Sequence, residues 1–415
     1  MCIRDSAMPV FSFDLGPGET ADLPRMAGYS GPIGICMGFE GGLASDIADK
    51  AITLNLPSPG IELRGKYWRK AFNGHEVSDI VLITERFRLP GAYIRQAARM
   101  ALAQAGLKGH DRVGLDDVRS ASRSLNRQML DTLATHLEAR GRWNDLVAAE
   151  GTTDKLQELF RRCRYREELI DHLGPAFGTT SNCGVRALFT GASGTGKTLA
   201  ARILAAELGM DLYRVDLAAI VNKYIGETEK NLHRVLSRAE ALDVVLLLDE
   251  GDALLGSRTE VKSANDRYAN LETNYLLQRL EHYQGIVLIT TNLMQNIDRA
   301  FQRRMDVLVP FSPPQAEERL HILRLHLPED HEVDDRMLET AAVRCSLNGG
   351  QIRNAALHAT LYALDMKSPV RWIHLQEGLR SEYKKAGGTF PLDGMLQDTE
   401  RDNGMQMFLG ALNSS

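Results

Sequence analysis

The sequence predicts an α/β fold: a parallel sheet flanked by helices, with a small helical lid at its C-terminal end and a partial, degenerate copy of the same module before it. Three observations predict it. Apolar runs at 185–190, 244–248 and 285–291 lack the alternation of a one-sided strand, and suit strands buried on both faces of a parallel sheet. A glycine-rich turn joins the first run to a helical stretch, 198–208, closed by Gly209. Segments from the first hundred residues recur in order about 255 residues later.

Bulk properties narrow the class. A chain of 415 residues has room for two or three domains. Its 44% apolar and 25% charged content is that of an ordinary globular protein. A net charge of −5 offers no basic field for nucleic acid. No apolar run reaches the roughly 18 residues of a membrane span, and no signal peptide is present. Cys2, Cys36, Cys163, Cys183 and Cys345 are scattered and odd in number, which fits neither a disulfide framework nor a metal site. A reduced, cytoplasmic protein is expected. Residues 1–6, Met-Cys-Ile-Arg-Asp-Ser, match what the end of a sequencing adapter would encode in one frame. They are read as an artefact on a gene fragment, in which case the natural protein extends further upstream; a genuine start is the alternative.

The turn is Gly191-Ala192-Ser193-Gly194-Thr195-Gly196-Lys197-Thr198, which fits G-x-x-x-x-G-K-[ST]. Glycines let the backbone curl so that N–H groups face phosphate oxygens at a helix N-terminus. Lys197 is then placed for the β- and γ-phosphates and Thr198 for Mg²⁺. A solvated glycine-rich loop is the alternative, and the strand before and helix after count against it. Val244 to Leu248 ends in Asp249-Glu250. Asp249 suits the metal, and Glu250 suits a water aligned with the γ-phosphate. The third run ends at Asn292, whose amide can hold that water.

These motifs, in the order GASGTGKT, LLLDEGD, TTN and Phe301-Gln302-Arg303-Arg304, resemble the AAA family of ATPases in the AAA+ superfamily, within its P-loop α/β class. The resemblance covers about residues 140 to 385. It implies ATP and Mg²⁺ as cofactors, and a homo-oligomeric ring, usually of six. Arg303 and Arg304 match the fingers that reach a neighbour's γ-phosphate. Lys223-Tyr224-Ile225-Gly226 matches the pore loop that grips an extended polypeptide. Arg353, near the start of a lid helix, matches sensor 2 only with a shift of two positions, and His326 matches a histidine near the adenine. The run Arg267-Tyr268-Ala269-Asn270 to Leu277 resembles a bacterial subgroup, some of whose members are encoded with contractile injection systems; Gly251 departs from that subgroup's usual alanine.

The repeat is carried by three matches. Leu89 to Ala98 echoes Leu347 to Ala356 at an offset of 258 (347 − 89), Leu56 to Arg64 echoes Phe311 to Arg319 at 255 (319 − 64), and Gly31 to Ile35 echoes Gly285 to Ile289 at 254 (285 − 31). The expected plan is therefore an artefact at 1–6, the C-terminal part of a degenerate first module at 7–125, and linker and entry helices at 126–180. An ATPase core at 181–312, a lid at 313–386 and a loose tail at 387–415 follow. In the first copy Gly38 stands where Asn292 stands, and Ala48 and Asp49 where Arg303 and Arg304 stand. An unrelated helical adaptor at 7–125 is the competing reading. Arg123 to Arg140 reads as an amphipathic helix, and Arg161 to Arg166 as a solvated basic face.

The function expected is an ATP-hydrolysing ring motor that remodels, unfolds or threads a protein substrate or works through an adaptor. An ATP-dependent assembly scaffold is the alternative. No nucleic-acid partner and no membrane span are expected.

Overall fold

The computed structural model describes residues 8–393 apart from 14, 16–19, 25, 27–28, 38–41, 45–50, 55, 57, 175–181, 218–226, 253–263 and 293–296. The chain divides into two compact units, one of residues 1–137, 166–185 and 209–287, the other of 138–165, 186–208 and 288–415. Strands β1 (Val10–Phe13), β2 (Thr20–Ala21), β3 (Gly34–Met37) and β4 (Gly42–Leu43) precede helices α1 (Ile61–Phe72), α2 (Ile80–Arg86), α3 (Gly91–Lys108) and α4 (Leu115–Leu130). Next come β5 (Thr135–Leu137), α5 (Glu150–Arg164), α6 (Glu168–His172), β6 (Val185–Thr190), α7 (Lys197–Leu208), β7 (Leu212–Asp216), α8 (Glu227–Leu242) and β8 (Val245–Asp249). Then follow α9 (Ala264–His282), β9 (Ile286–Thr291), α10 (Arg299–Gln302), β10 (Val307–Pro310), α11 (Ala316–His326), α12 (Asp335–Arg344), α13 (Gly349–Asp365) and α14 (Trp372–Lys385).

The central sheet has the strand order β10-β6-β9-β8-β7-β5. β6 runs parallel to β10 and β7 parallel to β8, while β5 is an antiparallel edge. All six residues of β9 and four of the five in β8 are buried, which is why their sequences are unbroken aliphatic runs. In the second unit Asp306 ties three elements together. It accepts from the Arg186 N–H at 2.8 Å, from Arg186 Nε at 3.0 Å and from Arg162 Nη2 at 2.8 Å. The lid, α11 to α14, closes around Leu338, Ile352, Ala355, Ala359 and Leu375.

The first unit holds a second four-helix group built to the same plan. Helices α1 to α4 start at 61, 80, 91 and 115, and α11 to α14 start at 316, 335, 349 and 372. α3 buries Ile94, Ala97, Ala98, Ala101 and Ala105; α13 buries Ile352, Ala355, Ala356, Ala359 and Ala363, the same residue types 258 positions on. One arginine does the same work in each. Arg64 donates Nη1 to Pro59 O at 3.0 Å and Nε to Thr84 O at 3.3 Å. Arg319 donates Nη1 to Pro314 O at 2.6 Å and Nε to Ala342 O at 2.7 Å. Both thereby satisfy a carbonyl before the first helix and another near the end of the second.

In the first unit Arg64 has a further task. Its guanidinium grips Glu167 in two parallel bonds of 2.8 and 2.9 Å, and Arg88 approaches the same carboxylate at 3.4 Å. Burial would push the Glu167 carboxyl up, but the Arg64 bond and the neighbouring arginines hold it below the usual range. Arg166 pairs with Asp243, and Arg123 and Asn126 both donate to Asp211. Buried charges are tolerated here because each is matched and hydrogen-bonded.

Several expectations change. The helix expected from Arg123 to Arg140 ends at Leu130, and the chain turns into β5. The expected 125/126 boundary thus falls inside α4. Arg166 is 5% exposed rather than on a solvated face, because it neutralises Asp243. The expected tail starts late: Phe390 and Leu392 pack into the lid core, and Arg380 bonds Asp393. β1, which pairs in parallel with β3, has no counterpart in the sequence reading, because a four-residue run carries too little periodicity. Ile52, Leu54 and Leu56 are 89, 78 and 85% exposed, whereas Val307, Val309 and Phe311, 255 positions on, are at most 4% exposed. The latter three belong to or follow a strand paired with β6; no strand pairs with 52–56 among the described residues.

Asp117 caps α4 from its third position. Burial raises its carboxyl, yet bonds from Lys108, the Gly114 N–H and His110 outweigh that and hold it at about 2. A depressed carboxylate stabilises the fold above its unfolded pKa and loses that contribution as pH falls through the folded value. Asp117→Asn should therefore melt below the wild type at pH 6. The gap should narrow between about pH 4 and about pH 2, as read by circular dichroism melts across that range.

Candidate functional site

The phosphate-loop motif folds as its residues require. Gly191, Gly194 and Gly196 have φ of 145°, 79° and 102°, conformations that residues with a Cβ rarely adopt. Two also lack room for one. A Cβ on Gly191 would lie 2.0 Å from Phe311 O, and one on Gly194 would lie 2.6 Å from Asn348 Oδ1. The loop is wedged between the end of β10 and the start of α13. Leu146, just after the short 3₁₀ turn Trp143–Asp145, lies 3.4 Å from the Cβ position of Gly196, and Val147 packs on the lid core. Glycine at these positions leaves a shallow backbone cradle at the N-terminus of α7, a donor set suited to phosphate oxygens.

Lys197 is 8% exposed at the first turn of α7. Its ammonium donates to the Gly191 carbonyl, to Ala192 O at 2.9 Å and to Asn292 Oδ1 at 3.0 Å. Lys197 and Asn292, 95 residues apart, therefore meet in the second unit as the motif order requires. Thr195 Oγ1 donates to Ala192 O at 2.8 Å and braces the turn, and Thr198 follows Lys197 in the same helical turn.

Asp249 and Glu250 close β8 in the first unit, with Asp249 in register with Asp216 of β7. Arg214 Nη1 lies 4.0 Å from Asp249 Oδ2. Glu250 has φ of 56°, an uncommon conformation for a residue with a side chain and the kind of local strain that concentrates at working sites.

The remaining residues fall as follows. Arg303 and Arg304 are exposed just after α10; Arg304 Nη1 donates to Ala300 O at 2.9 Å. His326 ends α11, with Nδ1 at 2.9 Å from Ile322 O, the contact of a helix-end residue. Arg353 is exposed on α13, and its Nη2 reaches Asn354 Oδ1 at 3.3 Å. Lys223, Tyr224, Ile225 and Gly226 lie outside the described residues, as do Gly38, Ala48 and Asp49. The sequence reading assigned no role to Asn348. Its side chain accepts from the Gln351 N–H at 2.9 Å while Nδ2 donates to Ser193 O at 3.3 Å. The signal was present as Asn three positions before Gln, a capping-box spacing.

Residues 187–313 match the model of the ATPase family associated with various cellular activities (AAA). Over that segment the chain is similar to the AAA ATPases. The chain is 34% identical over 177 residues to the uncharacterized AAA family ATPase y4kL of Sinorhizobium fredii, covering 42% of this chain and 50% of that one. It is 30% identical over 214 residues to the 26S proteasome subunit RPT4 of Saccharomyces cerevisiae, covering 49% of each. It is also 30% identical over 278 residues to the proteasome-activating nucleotidase of Methanoregula boonei, covering 62% of this chain and 63% of that one. The chain thus spans about half the length of the first two of these AAA relatives.

The three loop glycines should not be equal. Gly191→Ala meets a backbone oxygen that cannot swing away and should lower the melting temperature most. Gly194→Ala meets a side-chain amide that can rotate and should rank second. Gly196→Ala carries mainly the left-handed strain of about 1–2 kcal/mol and should rank third. Thermal melts of the three variants side by side check the order.

Proposed function

We propose that this AAA chain hydrolyses ATP and couples hydrolysis to mechanical work on a protein substrate, as a homo-oligomeric ring of about six subunits in the cytoplasm. The observation that carries the reading is the meeting of Lys197 with Asn292 at a loop whose three glycines hold phosphate-binding conformations. Gly191 to Thr198 bind the nucleotide phosphates, with Lys197 on the β- and γ-phosphates. Asn292 orients the attacking water and Glu250 takes its proton. Thr198 and Asp249 would hold Mg²⁺, which when bound neutralises charge on the phosphate oxygens. Arg303 and Arg304, exposed beyond the sheet, serve a neighbour's site; such a finger is worth roughly 10³–10⁵ in rate. His326 and Arg353 flank the nucleotide from the lid. Lys223, Tyr224, Ile225 and Gly226 grip the substrate, and relatives named for the proteasome favour a polypeptide there. The Arg267 to Leu277 run further suggests the bacterial subgroup with links to contractile injection systems.

We also infer that residues 7–130 derive from the same AAA module by duplication. The shared helix spacing, the Ile/Ala pattern and the paired arginines Arg64 and Arg319 support it. Aligning β1 with β8 puts Leu15 where Glu250 stands, which removes the base from that copy. The first copy then serves as structure rather than as an engine.

Two experiments test the proposal. Glu250→Gln should bind ATP and lose hydrolysis by a hundredfold or more, since a missing preorganised polar group typically costs ~10²–10³ in rate; a phosphate-release assay retaining over a tenth of the wild-type rate would sink both the assignment and the idleness of the first copy. Tyr224→Ala should leave basal ATPase within a few-fold and abolish unfolding of a model protein. Retained unfolding in that variant would favour the assembly-scaffold reading instead.

A further inference from the structure

The phosphate loop is held from the lid side by main-chain contacts that no nucleotide makes. Asn348 Nδ2 donates to Ser193 O at 3.3 Å, and the Gly350 N–H donates to Gly194 O at 3.0 Å. Asn348 is at the same time the N-cap of α13: its Oδ1 accepts from the Gln351 N–H at 2.9 Å, and Gln351 Oε1 accepts from the Asn348 N–H at 2.9 Å. The amide is therefore fixed at one end by the helix it caps and at the other by the loop.

A trans peptide is planar, with its C=O and N–H directed oppositely. Drawing the carbonyls of Ser193 and Gly194 toward the lid turns the N–H groups of Gly194 and Thr195 away from it. On the other flank Lys197 draws in the carbonyls of Gly191 and Ala192. The four consecutive peptide planes of the loop are thus set by two separate grips, one from the lid and one from α7. Phosphate affinity in such a loop comes from N–H groups already aimed before the anion arrives.

We propose that Asn348, with the Gly350 N–H, is a positioning residue for nucleotide binding: it orients the peptides at 193–195 for phosphate and makes phosphate affinity depend on the seat of α13. This rests on the ATP-binding reading of the loop. The duplicated helix supplies an internal contrast. Pro90 is the N-cap of α3, 258 positions before Asn348, and proline has no side-chain amide to make such a grip. Gly194 is needed for the same reason, since a Cβ there would occupy the space of the Asn348 amide.

The test must separate the grip from the cap. Serine caps helices about as well as asparagine but lacks the Nδ2 donor. In the full chain, Asn348→Ser should melt within about 2 °C of wild type. Its dissociation constants for ATP and ADP, measured by calorimetry, should rise about three- to tenfold, the range expected for one net hydrogen bond. The KM for ATP should rise with them while kcat at saturating ATP stays within twofold, a split that loss of a merely structural contact would not give. Amide hydrogen exchange across 193–198 should quicken in nucleotide-free Asn348→Ser. Affinity within twofold of wild type together with unchanged exchange in a folded Asn348→Ser overturns the proposal. Should serine prove unstable, Asn348→Asp keeps a strong cap, places a carboxylate against Ser193 O, and should weaken ATP more than tenfold; wild-type affinity there overturns it equally. A wild-type chain that binds neither ATP nor ADP would instead refute the nucleotide reading beneath it.

Discussion

The phosphate loop has no side chains of its own to hold it in shape at Gly191, Gly194 and Gly196, so its conformation depends on what crowds around it. Phe311 O blocks a Cβ at Gly191, Asn348 blocks one at Gly194, and Leu146 stands beside Gly196. These three neighbours come from the end of β10, the start of α13 and the entry segment after the 3₁₀ turn. The constraint runs in both directions. Glycine is required because the neighbours are close, and the neighbours can come close because the residue is glycine. Most of the second unit can be understood as the support of those three contacts. Asp306 ties β10 to β6 and α5 through Arg186 and Arg162, and the lid core fixes the axis of α13.

Much of this was legible in the sequence because the physics is local. A strand buried on both faces must be apolar throughout, so β6, β8 and β9 stood out. A loop that cradles phosphate needs glycines and a lysine at fixed spacing, so 191–198 stood out as well. What stayed hidden depends on partners far along the chain. Arg166 looked like one charge in a basic run until Asp243 was found beside it, 77 residues later. Phe390 and Leu392 looked like part of a tail because their partners, in the lid core, are not close in sequence. β5 is three residues long and holds its place by pairing with β7, which no local pattern reveals.

The two helical groups show what a shared plan permits and what it leaves free. Their buried faces match residue for residue along α3 and α13, since packing density leaves few choices for close helices. Their outer faces have diverged. Leu357, Leu361 and Leu364 are exposed on α13, where α3 has Arg99, Ala103 and Gly106. At the start of each helix the divergence is chemical: Asn348 and Gly350 can donate to a phosphate loop, and Pro90 cannot.

That difference bears on how one four-helix plan serves in two units of a single chain. Arg64 keeps the two carbonyl bonds that Arg319 makes and adds a bidentate grip on Glu167, so the first helical group is bound into the unit that carries β7 and β8. An arginine buried to 2% exposure is costly to leave without its carboxylate, so this contact resists change. The first helical group is thus tied by Arg64 to Glu167, and by Arg123 and Asn126 to Asp211 just before β7, the strand beside β8. In the second unit the same four-helix plan keeps its grip on the phosphate loop instead.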